Sequence, residues 1–154
     1  MGKEQLQLLE SDGMYISVPE GISMRPMIKA GRDVVLVEKI KSMPKRYDLV
    51  MYIRGEDIGV IHRVIHYRDG TYIICGDNCW QLEYVAPEQI KGIVTKYCRK
   101  GKWRSVDYLP YRIYVRLWVD LLFLKRPVFF VRDKTKRILV RIRNALFRRT
   151  PEKQ

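Results

Sequence analysis

Three polar side chains in this 154-residue chain are of the types that acyl transfer needs. Ser23 lies in Gly21-Ile22-Ser23-Met24-Arg25-Pro26-Met27, His62 in Val60-Ile61-His62-Arg63-Val64, and Asp77 in Cys75-Gly76-Asp77-Asn78. A serine hydroxyl stays protonated at neutral pH and becomes a nucleophile only when a neighbouring base takes its proton. A carboxylate then holds that base in the required tautomer. Ser23 and His62 are 39 residues apart, and His62 and Asp77 are 15 apart. Neither separation is a helical one, so a tertiary fold must bring the groups together. Each residue also has a plainer reading. A serine before Met and Pro is commonly a turn residue, a histidine between valines a structural strand residue, and an aspartate between Gly and Asn a β-turn residue.

Taken together, the segments resemble those of type I signal peptidases. Ser23-Met24-Arg25-Pro26 looks like the family's Ser-Met-x-Pro box, and Gly31-Arg32-Asp33-Val34-Val35 is similar to the glycine-acid-valine strand that follows it. Tyr47-Asp48-Leu49-Val50 resembles the next strand entry, and Gly76-Asp77-Asn78 the Gly-Asp-Asn box. The resemblance spans about residues 14 to 100. In the bacterial branch the base is a lysine followed by arginine; in the archaeal and endoplasmic-reticulum branch a His-Arg pair stands there, as His62-Arg63 does. No lysine occurs between Lys45 and Lys91, which leaves that segment without a lysine base. The resemblance thus implies Ser23 as nucleophile, His62 as general base and Asp77 as its orienting acid. His66, the only other histidine, reads as a surface or structural residue at a strand end.

The implied reaction is peptide cleavage, with the Ser23 N–H as oxyanion donor. Related peptidases often carry a hydroxyl residue two positions before the nucleophile, where this chain has Gly21. An extended substrate would add as a strand beside Met14, Ile16 and Val18 and the segment after Ser23, with contacts from Met24 and Pro26. Met24 and Met27 read equally well as core residues. A self-cleaving repressor of the same clan is a poorer fit, because only about thirteen residues precede Met14 and the lysine base is missing. The rival of a different class is a non-catalytic peptide- or membrane-binding module that keeps the fold.

The elements that must position these residues read as short strands. Met14–Val18, Val34–Val37, Leu49–Ile53, Val60–Ile65, Tyr72–Cys75 and Ile90–Tyr97 are rich in Val, Ile and Tyr, and turn signals separate them. The expected fold is mainly β: an antiparallel, partly closed β-structure of the signal-peptidase type with a basic C-terminal helical extension. Asp69-Gly70 predicts a hairpin that returns the chain so that Asp77 approaches His62. Composition places a boundary near residue 103. Residues 1–103 hold 16 basic and 13 acidic residues, whereas 104–154 hold 14 and 4. The extension reads as two helices broken near Arg126-Pro127, with Val128, Val131, Ile138, Leu139, Ile142, Ala145 and Leu146 at helical spacing.

A basic amphipathic helix can pack on its own domain, lie on an anionic membrane face with Trp118, Phe129 and Phe130 in the interface, or bind nucleic acid. The third has no accompanying motif. Residues 1–12 are polar, and no window is long and apolar enough to span a bilayer, so neither an export signal nor an anchoring helix is expected. Cys75, Cys79 and Cys98 read as reduced thiols of a cytoplasmic protein, peripheral at the inner membrane face if the tail binds there. Cys75-x3-Cys79 has no second ligand pair, so neither metal nor cofactor is expected.

Overall fold

The computed structural model describes residues 3–55 and 58–147. Helix α1 (Lys3–Ser11) precedes the strands β1 (Met14–Ser17), β2 (Val34–Lys39), β3 (Leu49–Arg54), β4 (Ile58–Arg68), β5 (Thr71–Cys75), β6 (Glu83–Val85), β7 (Ile90–Arg99) and β8 (Lys102–Ser105). Helices α2 (Leu109–Asp120) and α3 (Leu122–Phe147) follow. All strand pairs are antiparallel, in the order β1-β2-β7-β3-β4-β5-β6 with β8 on β7. Register shifts at Leu36/Val37, Met51/Tyr52 and Val64/His66 add local twist. The chain is mainly antiparallel β, a curled half-barrel with C-terminal helices.

The six strands read from the sequence are all present, and α1, β6 and β8 are additional. The Asp69-Gly70 hairpin also forms. Both residues take positive φ, 51° and 75°, and Arg68 faces Thr71 across the turn. Such a two-residue turn matches the twist of its flanking strands, and Gly and Asp tolerate its backbone best.

Alternation along the strands feeds two apolar clusters. One gathers Tyr15, Val35, Val37, Met51 and Val94 with Leu9 of α1 and Tyr111, Val115 and Val119 of α2. The other holds Val50, Tyr52, Val64, Tyr72, Ile74 and Val85. The spacing of Tyr111, Val115 and Val119 is that of one helix face, so α2 shares the core with the strands. The compositional boundary near residue 103 falls within β8, ahead of that shared helix.

The helix break lies elsewhere than expected. The chain leaves helical geometry at Leu121, and Pro127 sits inside α3. Proline's fixed φ suits a helix; its cost is the unpaired carbonyl four residues back. That carbonyl belongs to Phe123, an exposed residue on the first turn, where water can reach it.

Candidate active site

The Ser23 loop is built by burying an acid. Asp33 is fully buried, and its carboxylate accepts hydrogen bonds from the Lys29 N–H and from Arg32 and Arg99. Burial alone would raise the Asp33 carboxyl, but these hydrogen bonds and cations outweigh it and hold it below the usual carboxylate range. Arg99 also donates to the Met27 carbonyl. Residues 24–33 are thereby tied to β7, with Met24, Met27 and Ile28 buried beneath. Ser23 sits at the head of this loop, and among the described residues no carbonyl accepts its backbone N–H.

Ser23 and His62 line one cavity of about 350 Å³, together with Val18, Gly21, Met24 and Arg54. Gly76 joins their surroundings. A Cβ built there would lie 2.8 Å from the Ser23 carbonyl oxygen, 2.9 Å from Cys79 Sγ and 3.0 Å from His62 Nε2. The missing side chain therefore lets the 76–79 turn close against both the Ser23 loop and the imidazole. Asn78 fixes that closure by donating its N–H to the Ser23 carbonyl at 2.7 Å and its Nδ2 to the Ile22 carbonyl at 3.1 Å.

The carboxylate beside His62 is Glu83. Its Oε1 lies 3.0 Å from His62 Nδ1, with the Tyr52 hydroxyl 3.3 Å from the same nitrogen. The strand register explains the meeting. Val64 pairs with Ile74 and Ile74 with Glu83, so Val64, Ile74 and Glu83 form one rung on one face of β4-β5-β6. His62 lies two residues along β4 on that face. Tyr52 donates to Glu83 at 2.6 Å, and Arg54 reaches both carboxylate oxygens. Partial burial would raise the Glu83 carboxyl, but hydrogen bonds from His62, Tyr52 and Arg54 hold it down at about 2.

Asp77, expected at His62, stands elsewhere. Consecutive strand residues face opposite ways, and Asp77 meets Arg63 rather than its neighbour. Arg63 Nε and Nη2 donate to the two Asp77 oxygens at 2.8 and 2.9 Å, and both side chains are buried. Arg63 Nη1 donates to the Tyr47 carbonyl and the Tyr111 hydroxyl, while Tyr114 donates to Asp77 at 3.2 Å. Burial opposes the Arg63 charge, yet Asp77 and Tyr111 hold its pKa above the ordinary value. The Trp118 indole N–H donates to the Asp77 carbonyl at 2.6 Å. The Asp77 carboxylate thus ties the turn to β4 and α2, without reaching His62 in this arrangement.

The expected substrate contacts divide. Val18 and Met24 line the cavity. Met14 and Ile16 are exposed on β1, which pairs only with β2 among the described strands. Pro26 is exposed, like Met14 and Ile16, and none of the three lines the cavity; Met27 is core. His66 is exposed, and the irregularity beside it takes it out of register with His62. Burial pushes the Cys75 thiol up to about 12 and raises that of Cys79, so neither is a ready thiolate. The described residues contain no metal-binding cluster of His, Cys, Asp and Glu.

Glu83 is the site residue that the sequence reading lacks. Its signal is thin: it is the one acid between Asp77 and Glu88, and it opens the short alternating run Glu83-Tyr84-Val85. Comparison with protein-family models, with curated proteins and with solved structures finds no significant match for the chain.

Proposed function

We propose that this chain is a serine endopeptidase that cleaves an extended peptide or precursor protein by acyl transfer. Ser23 is the nucleophile, His62 the general base and Glu83 the carboxylate that orients it. One observation carries the reading: at the cavity that Ser23 and His62 share, Nδ1 of the imidazole meets a carboxylate and Nε2 faces the turn against the Ser23 loop. Its likeness to the signal peptidases in the Ser-Met-x-Pro and His-Arg segments supports the same chemistry.

Ser23 Oγ adds to the peptide carbonyl carbon as its proton passes to His62 Nε2, and Glu83 stabilises the imidazolium that forms. The Ser23 N–H receives the developing oxyanion. Collapse expels the amine, which takes the proton from His62, and leaves an ester on Ser23. Water then attacks that ester, giving its proton to His62, and the acid product departs as Ser23 is reprotonated. The substrate pairs along the edge of β1 that no described strand covers, past the exposed Met14, Ile16 and Val18, and Met24 shapes the cavity beside the scissile bond.

The test is covalent labelling of the full chain with a fluorophosphonate probe, the adduct being located by mass spectrometry. Labelling at Ser23 that disappears in Ser23→Ala and falls sharply in His62→Ala is the expected result. A folded chain that never labels defeats the reading. Gly21 favours one rival, since it offers no side-chain donor for the oxyanion. On that rival, the chain is a binding module that holds peptides equally well with Ser23→Ala and turns none over.

A further inference from the structure

Of the aromatic residues expected to enter a membrane, Phe130 stays 37% exposed, and Trp118 and Phe129 border an open groove, each half-buried. Trp118 is committed to the Asp77 carbonyl, and Phe130 packs edge-on against Trp80 with ring centres 5.0 Å apart. The apolar side chains that the two helices leave in solvent are mostly aliphatic, with Phe123 and Phe130 among them. On α2, Leu109, Ile113 and Leu117 follow one another at four-residue intervals, Leu121 continues the row just past the helix end, and all four are exposed. On α3, Leu124, Val128, Val131, Ile138 and Ile142 continue at intervals that keep one helix face, again all exposed. The two stripes meet in an open groove lined by Leu117, Leu121, Leu124 and Val128. From Lys134 to Ala145 every side chain is exposed, so this part of α3 rests on no other described element.

Charge narrows what can cover the stripe. Helix α3 carries eight basic residues and one acidic one. At 100° per residue, Lys136 and Arg143 fall on one shoulder of the stripe and Lys134 and Arg141 on the other. A second copy laid on the stripe would set these cations against their own kind. Nucleic acid would meet the cations but press its phosphates against exposed Ile and Val. An anionic bilayer surface satisfies both features, because acyl chains take the aliphatic stripe while headgroups face the shoulders. No helix among the described residues is long and apolar enough to cross a membrane.

The geometry points to α2 and α3 as a docking surface for an anionic lipid bilayer, with the helices lying along the interface. Co-sedimentation of the full chain with large vesicles tests this, comparing phosphatidylcholine alone with mixtures containing phosphatidylglycerol. At least about tenfold more protein pellets with the anionic vesicles, and added salt reduces it. Ile138→Asp with Ile142→Asp brings pelleting down to the level with neutral vesicles. Lys134→Glu with Arg141→Glu lowers it about tenfold. All four positions are exposed, so circular dichroism and thermal melting remain those of the parent chain. Equal pelleting with both vesicle types, none with either, or unchanged pelleting by either double variant overturns the proposal. So does a concentration-dependent dimer without lipid, seen by sedimentation velocity and abolished by the Ile138/Ile142 variant.

Discussion

At the scale of single residues, two carboxylates near the site have separable tasks, and substitution tells them apart. Glu83 contacts His62, so Glu83→Gln cuts the rate of Ser23 labelling by about 10²- to 10⁴-fold while the fold persists, the range seen when a base loses its orienting carboxylate. Asp77→Asn instead breaks a buried, bidentate ion pair and costs about 3–5 kcal/mol in urea melts, because Arg63 is left buried and uncompensated. A larger loss of labelling per folded molecule in Asp77→Asn than in Glu83→Gln reverses the assignment. The carboxyl of Glu83 also sets a pH dependence. Its folded pKa, about 2, lies below the ordinary 4.5, so the stabilisation it provides is complete above about pH 4.5 and is lost as pH falls towards 2. The stability difference between parent and Glu83→Gln is therefore flat above pH 4.5 and closes below it. Ser23 and His62 are legible as candidates because their types and neighbours single them out, and the structure brings both to one cavity. Asp77 was misplaced because the box is adjacent in sequence to nothing that tells which face of β4 it meets. Opposite-facing His62 and Arg63 made the choice, and the β5-β6 register that delivers Glu83 lies beyond an irregular turn with no periodicity to read.

Among the elements, helix α3 holds the turn that holds the Ser23 loop. Arg132 of α3 donates to Asn78 Oδ1 at 2.6 Å and to the Asn78 carbonyl at 3.0 Å, and Arg126 donates to the Trp80 carbonyl at 2.9 Å. Asn78 in turn donates to the Ile22 and Ser23 carbonyls, so it bridges α3 and the Ser23 loop. Arg132 is then a positioning residue. Arg132→Ala lowers the maximal rate of Ser23 labelling by about tenfold with little change in probe affinity, while Arg132→Lys recovers part of it. Equal labelling rates in parent and Arg132→Ala remove the link. Little of this was open to sequence reading. The 3.6-residue periodicity marks both helices, yet it carries no information on which polar side chains face the 77–80 turn. Similarly, α1 was missed because Leu6 and Leu9 pack inward from a short, largely polar segment whose Leu8 is exposed, and β8 because four residues with exposed Lys102, Trp103 and Arg104 show no apolar alternation.

For the whole molecule, charge asymmetry and core architecture divide the chain at different places. The excess of basic residues begins near residue 104, but the core ends only with α2. Tyr111, Val115 and Val119 are each under a tenth exposed, and they cover strands that contribute Val35, Leu49, Met51 and Val94. Asp120 closes the helix onto the sheet by accepting from Arg46 at 2.8 Å and from the Tyr47 hydroxyl at 3.1 Å. Tyr111 and Tyr114 also complete the polar shell around Arg63 and Asp77. Removing α2 would therefore uncover apolar side chains and strip hydrogen bonds from a buried ion pair in one step. A chain ending at residue 103 is expected to lose cooperative unfolding altogether, whereas one ending at residue 133 keeps the α2 contacts and both cations that hold the 77–80 turn. Urea denaturation followed by tryptophan fluorescence checks this, since Trp80 and Trp118 both lie at the joint. A sharp transition for the 103-residue chain at the parent's midpoint would make the helices a true appendage. A sharp transition restored only by the 133-residue chain makes α2 and the first turns of α3 part of the fold that positions Ser23 and His62, with the remaining exposed length of α3 outside that folding unit.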